Sequence, residues 1–454
     1  MIPGARGAIR ALLAGAVFGA AVWAGEVPDF RREIAPVLVE QCLSCHGPER
    51  QRGRYRVDTV SALRRAGVSG EAAVVAGDAE GSLLMRLLTA DDPEERMPQG
   101  GEALGADVIE RFRRWIAGGA RFEGDESVPL VDWVEASGVE PPPAEYAYPM
   151  PVAALVGLGE DRWAMGGLRE VLVRDGGGGL VRRLAGLPER VQALALHPDG
   201  RRLYFAGGEP GRSGAAGWLE LDGDGSPRVL ARASDWYLAL AISPAGDLVA
   251  AGGTARDIGV WDTATGERVA TLAGHSDWVL DLAFSPDGER LVSAGRDGTA
   301  RVFGARSGEW FGVFRGHGAA VTAVVFGADG ERVASAGRDG RIRTWEAATG
   351  GGAKGSPGVA GQAVRLRSEG ERLWSAWSDG RVREHRWETL EPVREFGEGG
   401  ERLTALALAP GLGEGRLATG SQGGWVRMWE TEGGAAVRAW RAVPGGGGEV
   451  KPDG

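Results

Sequence analysis

The spacing of apolar positions changes once along the chain, near residue 150. Before that point apolar residues recur at helical intervals. Phe30, Ile34, Val37 and Leu38 form one stripe, with Pro36 inside it as a bend or as the true helix start. Ser61 to Ala66 reads as a short helix stopped by Gly67, and Gly81 to Leu88 as another, with Ser82 or Asp78 as N-cap. The clearest helix runs from Asp107 to Ile116. Val108, Ile109, Phe112, Trp115 and Ile116 share its buried face, and Gly118-Gly119 ends it. After a stretch containing Pro141-Pro142-Pro143 the period becomes two, with turn signals between short runs.

The second part repeats itself. Ile242 to Ala250 (ISPAGDLVA) is answered by Phe284 to Ser293 (FSPDGERLVS) and Phe326 to Ser335 (FGADGERVAS), about 42 residues apart. Each unit reads as four short strands joined by Asp-Gly and Gly-x-Asp-Gly turns. Turn signals place unit starts near Pro151, Val191, Trp236, Trp278, Ala320, Gln362 and Arg402, hence roughly seven units. The last contains its own fourth strand, Ala435 to Trp440, so no N-terminal strand need be lent to it.

Composition narrows the function classes. A chain of 454 residues is too long for one core and implies two or three domains. A formal charge of -10 argues against nucleic acid as partner, since a phosphate-binding face needs a basic stripe. With 2 cysteines there is no disulfide scaffold. Residues 1–24 read as a secretory signal peptide: Arg6 and Arg10, an apolar run from Ala11 to Val22, and the small-x-small site Val22-Trp23-Ala24. The competing reading is an uncleaved anchor, for which the run is short. No Cys follows the site and the leader has no Arg-Arg pair, which favours general secretion without a lipid anchor. The expectation is an exported, periplasmic chain with no membrane span after cleavage.

Both cysteines fall in one motif, Cys42-Leu43-Ser44-Cys45-His46. C-x-x-C-H is the attachment signature of c-type haem: two thiols add to the vinyl groups, and the adjacent imidazole binds the iron. Two intervening residues let one helical turn present both sulfurs to one porphyrin edge. A thioredoxin-like redox pair would need a βαβ context, and a zinc site two further ligands; neither is evident. For the distal iron position Met97, followed by Pro98 in a loop between helices, stands ahead of Met85, which lies on an apolar helix face where Met fills cores.

These motifs resemble the planctomycete-type cytochrome c domain: Phe30 to Leu38 (FRREIAPVL), Cys42 to Glu49, Val75-x-Gly-Asp-x-x-x-Ser-Leu-Leu84, Met97-Pro98 and Trp115-Ile-x-x-Gly-Ala120. The resemblance implies one covalently bound haem c, with thioethers at Cys42 and Cys45, His46 as proximal ligand and Met97 as distal ligand. The chain departs from that pattern at Gln99, where a second proline is common, and around Arg64-Arg65. The repeats resemble WD40 units at Val260-Trp261-Asp262, Gly274-His275, Gly316-His317 and Thr344-Trp345. That resemblance implies a buried hydrogen-bonded tetrad at His317, Ser335, Asp339 and Trp345. It implies an incomplete one at His275, Ser293 and Asp297, where Phe303 replaces the tryptophan. These histidines are therefore structural.

The expected fold class is multidomain: a small all-α cytochrome c domain over residues 26–124, a linker over 125–150, an all-β seven-bladed WD40 β-propeller over 151–444 and a disordered tail over 445–454. Trp236, Trp278, Arg256, Arg296 and Arg338 would share one rim, a composition suited to binding a protein. The plainer reading packs each Trp on its neighbour and leaves each Arg solvated. No nucleophile elbow, phosphate loop or carboxylate–His cluster marks an enzyme. The expected function is an electron carrier whose repeats dock a redox partner; the alternative is a haem-based redox or gas-sensing scaffold.

Overall fold

The structure is a computed structural model describing residues 27–47, 51–99, 103–122, 126, 129–130, 141–223, 225–233, 235–408, 416–432, 434 and 436–445. The leader (1–24), residues 131–140 of the linker, and the tail beyond Gly445 lie outside the described residues. The chain divides into two compact units, Met1–Gly138 and Val139–Gly454.

The first unit opens on one helical stretch whose pitch changes three times. A π turn (Phe30–Ile34) passes into an α turn (Ala35–Val37), a second π turn (Leu38–Cys42) and a last α turn (Leu43–His46). Asp29 caps the start by accepting the Arg32 amide at 2.8 Å, and Glu33 returns the favour to the Asp29 amide at 3.0 Å. Pro36 brings no N–H, so the helix begins at Phe30 and widens around the proline instead of starting there. Short helices follow at Val60–Leu63, capped by the Thr59 hydroxyl, and at Leu83–Leu88. The Ala106–Ala117 helix buries Phe112, Trp115 and Ile116 against Phe30, Ile34, Leu38, Val60, Leu63 and Leu88.

In the second unit β1 (Leu155–Gly159), β2 (Arg162–Gly166), β3 (Leu168–Asp175), β4 (Leu180–Leu196), β5 (Arg202–Glu209), β6 (Ser213–Glu220) and β7 (Arg228–Ala233) form one seven-stranded antiparallel sheet. Five four-stranded sheets follow, over 237–272, 279–314, 321–355, 363–396 and 403–441. The expected small all-α domain followed by a seven-bladed propeller is thereby corrected. The described residues are mostly β, helix is confined to short segments of the first unit, and the strands make six sheets. The reason in the second unit is β4. It runs 17 residues without a break, and Arg190 is paired on both sides, with Leu168 of β3 and Gly208 of β5. The boundary expected near Val191 therefore falls inside a strand. In the first unit helix is short and irregular: the Phe30 stripe winds as alternating π and α turns, and the next two helices last four and six residues.

Successive sheets touch through their first strands. These are β8 (Tyr237–Ile242), β12 (Val279–Phe284), β16 (Val321–Phe326), β20 (Ala363–Glu369) and β24 (Leu403–Leu408), and the series runs from β4 through these and back to β1. Residues of β1, β4, β8, β12, β20 and β24 line a cavity of about 860 Å³. Side chains close the series where its ends meet: Val152, Leu155, Trp163 and Met165 pack with Ala405, Ala418, Met428 and Trp440. The Val152 amide donates to Ser421 O at 3.1 Å and the Thr404 hydroxyl to Val152 O at 2.7 Å. Gly420 has to be glycine here, because a Cβ would lie 2.6 Å from the Val152 Cβ. The fourth strand of the last sheet is its own, Ala436–Arg441.

Candidate functional site

The Leu43–His46 turn stops at Gly47, where an added Cβ would come within 2.8 Å of Leu43 O. The chain then returns alongside itself, with Gln51 bridged to His46 and the Val57 amide donating to His46 O at 2.8 Å. This return places Tyr55 O 3.2 Å from His46 Nδ1. A carbonyl only accepts, so Nδ1 carries the proton and Nε2 keeps its lone pair, the tautomer a metal-binding imidazole needs. Tyr55 is itself held by donating its hydroxyl to Leu63 O at 2.8 Å, and its ring meets the imidazole edge-on at 5.7 Å.

Cys42, Cys45, His46 and Met97 all line one cavity of about 360 Å³, whose walls include Leu38, Val57, Leu83, Leu84, Leu87 and Leu88. Both cysteines are free and half-buried. Burial, and then the neighbouring Cys45, pushes the Cys42 thiol up to about 11, and burial likewise raises the Tyr55 hydroxyl. The Cys42 thiol therefore meets an apolar space in its neutral form. The two methionines are separated by their surroundings. Met85 is 1% exposed in the core and off the cavity wall, whereas Met97 lies on it, anchored by its amide to Leu87 O at 2.9 Å. Gln99 steadies the same loop through Nε2 to Glu94 O at 2.6 Å. Two thiols, an imidazole with one nitrogen committed and one free, a thioether and apolar walls are a donor set that fits haem c.

In the second unit the tetrads form. The Trp345 indole donates to Ser335 Oγ at 3.0 Å, Ser335 meets His317 Nε2 at 2.9 Å, and His317 Nδ1 donates to Asp339 at 3.1 Å. Burial opposes the Asp339 charge, yet His317 and Arg343 hold its carboxyl below the ordinary range. His275 repeats this with Ser293 at 2.7 Å and Asp297 at 3.0 Å, with Phe303 buried where no indole can donate. Two further hubs lie in the units counted from Gln362 and Arg402, which lack the full set of WD40 marks. Ser375 accepts the Trp377 indole at 2.7 Å and meets His385 Nε2 at 2.8 Å, while Thr419 accepts the Trp429 indole at 3.0 Å. His385 and Trp429 stand in the register of Trp345, so the hydroxyl persists while the group that bonds it changes.

Trp236 and Trp278 immediately precede β8 and β12 and are half-buried, and Arg296 and Arg338 are exposed in turns at the same end of their sheets. The Arg296 guanidinium lies 4.5 Å over the Trp278 ring and 3.7 Å from Asp277.

With this geometry in place, comparison with known families defines the class. Residues 42–100 match the family described as planctomycete cytochrome C. Residues 266–304 and 308–346 match the WD domain, G-beta repeat. The chain joins a haem-binding, cytochrome c-like domain to a protein-interaction module of WD40 repeats. A comparison with curated proteins finds no match. Tyr55 was the site residue that sequence reasoning missed. It contributes through its backbone carbonyl, which leaves no mark on residue type; the Gly53 turn ahead of it was the available signal.

Proposed function

We propose that the chain is an exported mono-haem c-type cytochrome that passes single electrons to or from a protein docked by its WD40-repeat unit. In this reading it is a carrier and not a catalyst. Cys42 and Cys45 hold the group covalently, His46 Nε2 is the proximal donor and Met97 the distal one. The haem, when bound, supplies the one-electron chemistry. The chain's residues orient it, exclude water with the leucine walls and set its potential through a neutral, soft thioether. The carrying observation is that Cys42, Cys45, His46 and Met97 share one apolar cavity while Tyr55 O commits the other imidazole nitrogen. The WD40-repeat unit contributes Trp236, Trp278, Arg296 and Arg338 at one end of its sheets as the docking face.

The test is protein matured with haem in a periplasm, wild type beside Met97→Ala. Wild type is expected to keep its haem through denaturation and to show a low-spin, six-coordinate spectrum. Met97→Ala is expected to lose that spectrum and to lower the potential by on the order of 100 mV. Absence of covalent haem sinks the reading, and an unchanged Met97→Ala spectrum removes Met97. A five-coordinate reduced wild type would favour the sensing alternative.

A further inference from the structure

We propose that Arg52 is the cation that pairs with the haem's carboxylate side chains. This rests on the haem reading above. Haem brings two propionates as well as two vinyl groups, and thioether bonds at Cys42 and Cys45 commit the vinyl side. The carboxylates must then meet another part of the wall, where an ionised group without a partner is penalised. Among the described side chains around the cavity, Arg52 is the one arginine or lysine. The other titratable groups on that wall are Cys42, Cys45, His46 and Tyr55, none of them a cation suited to a carboxylate.

Arg52 is also uncommitted. Among the described residues its guanidinium has no hydrogen bond or ion pair, whereas Arg56, Arg64 and Arg86 are engaged. Arg56 holds Asp58 at 2.5 Å, Arg64 holds Glu126 at 2.5 Å, and Arg86 holds Glu71. The exposed side chain stands in the turn Arg52–Arg54, built around Gly53 at φ +64°. That turn is pinned on both sides: Gln51 bridges to His46 and the Val68 amide donates to Gly53 O at 2.9 Å. The segment that delivers Tyr55 O to His46 thus also delivers a free guanidinium, a planar fork matched to a carboxylate, to the same cavity.

The experiment uses the full chain matured with haem, as wild type, Arg52→Ala, Arg52→Lys and Arg54→Ala. Arg54 is exposed and is not on the cavity wall, so it controls for the loss of one positive charge. Covalent haem is scored first and midpoint potential is then followed across pH. Arg52→Ala is expected to keep its haem, to lower the potential at neutral pH, and to move the pH at which the potential bends upward by about one unit or more. Arg52→Lys is expected to recover part of that shift, and Arg54→Ala to follow wild type. An Arg52→Ala curve identical to wild type, or to a shifted Arg54→Ala curve, overturns the proposal while leaving the haem reading intact. Wild type without covalent haem overturns both.

Discussion

At the scale of single residues, one hydroxyl organises each of the four last sheets, and the groups that bond it decide how the protein responds to acid. His275 and His317 have buried rings that favour the neutral form, partly offset by their aspartates. His385 has no such aspartate. Its Nδ1 faces Leu390 O at 3.3 Å, and burial drives its value down from 6.5 to about 4. Below pH 6.5 the unfolded chain therefore takes up a proton that the folded chain refuses. The contribution is complete above pH 6.5 and is lost as the pH falls through the window to about 4, amounting to about 3 kcal/mol. The stability gap between wild type and His385→Gln is expected to shrink by about that amount from pH 7 to pH 4 in urea titrations. A gap that stays constant with pH would show that His385 titrates normally. Trp345 and His317 were legible from their motifs; His385 was not, because a histidine at a tryptophan's register carries no WD signature.

Among the elements, the clearest lesson comes from segments that look like connectors. Immediately after the three prolines the chain is clamped. Glu170, fully buried, receives Arg183 through Nε and Nη2, both at 2.7 Å, and the Tyr146 hydroxyl at 2.6 Å. Arg183 also donates to Pro143 O at 2.5 Å and Ala144 O at 3.0 Å. Glu170→Ala strands a guanidinium inside this cluster and is expected to cost about 3–5 kcal/mol, while Tyr146→Phe costs about 1–2 kcal/mol. Denaturant midpoints of the two single variants and the double variant check this, and strict additivity would show that the three groups do not act together. Sequence patterning found the strands of this unit because period two survives sheet by sheet. It misplaced the boundary at Val191, since Gly186 and Pro188 look like a turn while the strand passes through them. At Pro36 the two readings, a bend or a helix start, resolve to a change of pitch inside a helix that already begins at Phe30.

For the whole molecule, the two units rest on different foundations. The first has a modest core beside a cavity of about 360 Å³, so a bound group completes its interior. The chain with both Cys42→Ser and Cys45→Ser is expected to lose amide protection across residues 30–122 by at least tenfold relative to haem-loaded protein, roughly 1.4 kcal/mol. Hydrogen exchange followed by mass spectrometry reads this directly, with peptides from 155–441 as internal reference. Equal protection in the two forms would mean that the core stands without its prosthetic group. The unbroken β4 has a consequence of its own for the second unit. Five sheets are separate leaves, each able to open at the expense of its own backbone ladder and its packing. The first seven strands have no such joint, because Arg190 is bonded to neighbours on both sides. They must part together, and they lie beside the seam where the circuit of sheets meets itself without exchanging a strand. The seam of the series is thus backed by its largest indivisible block.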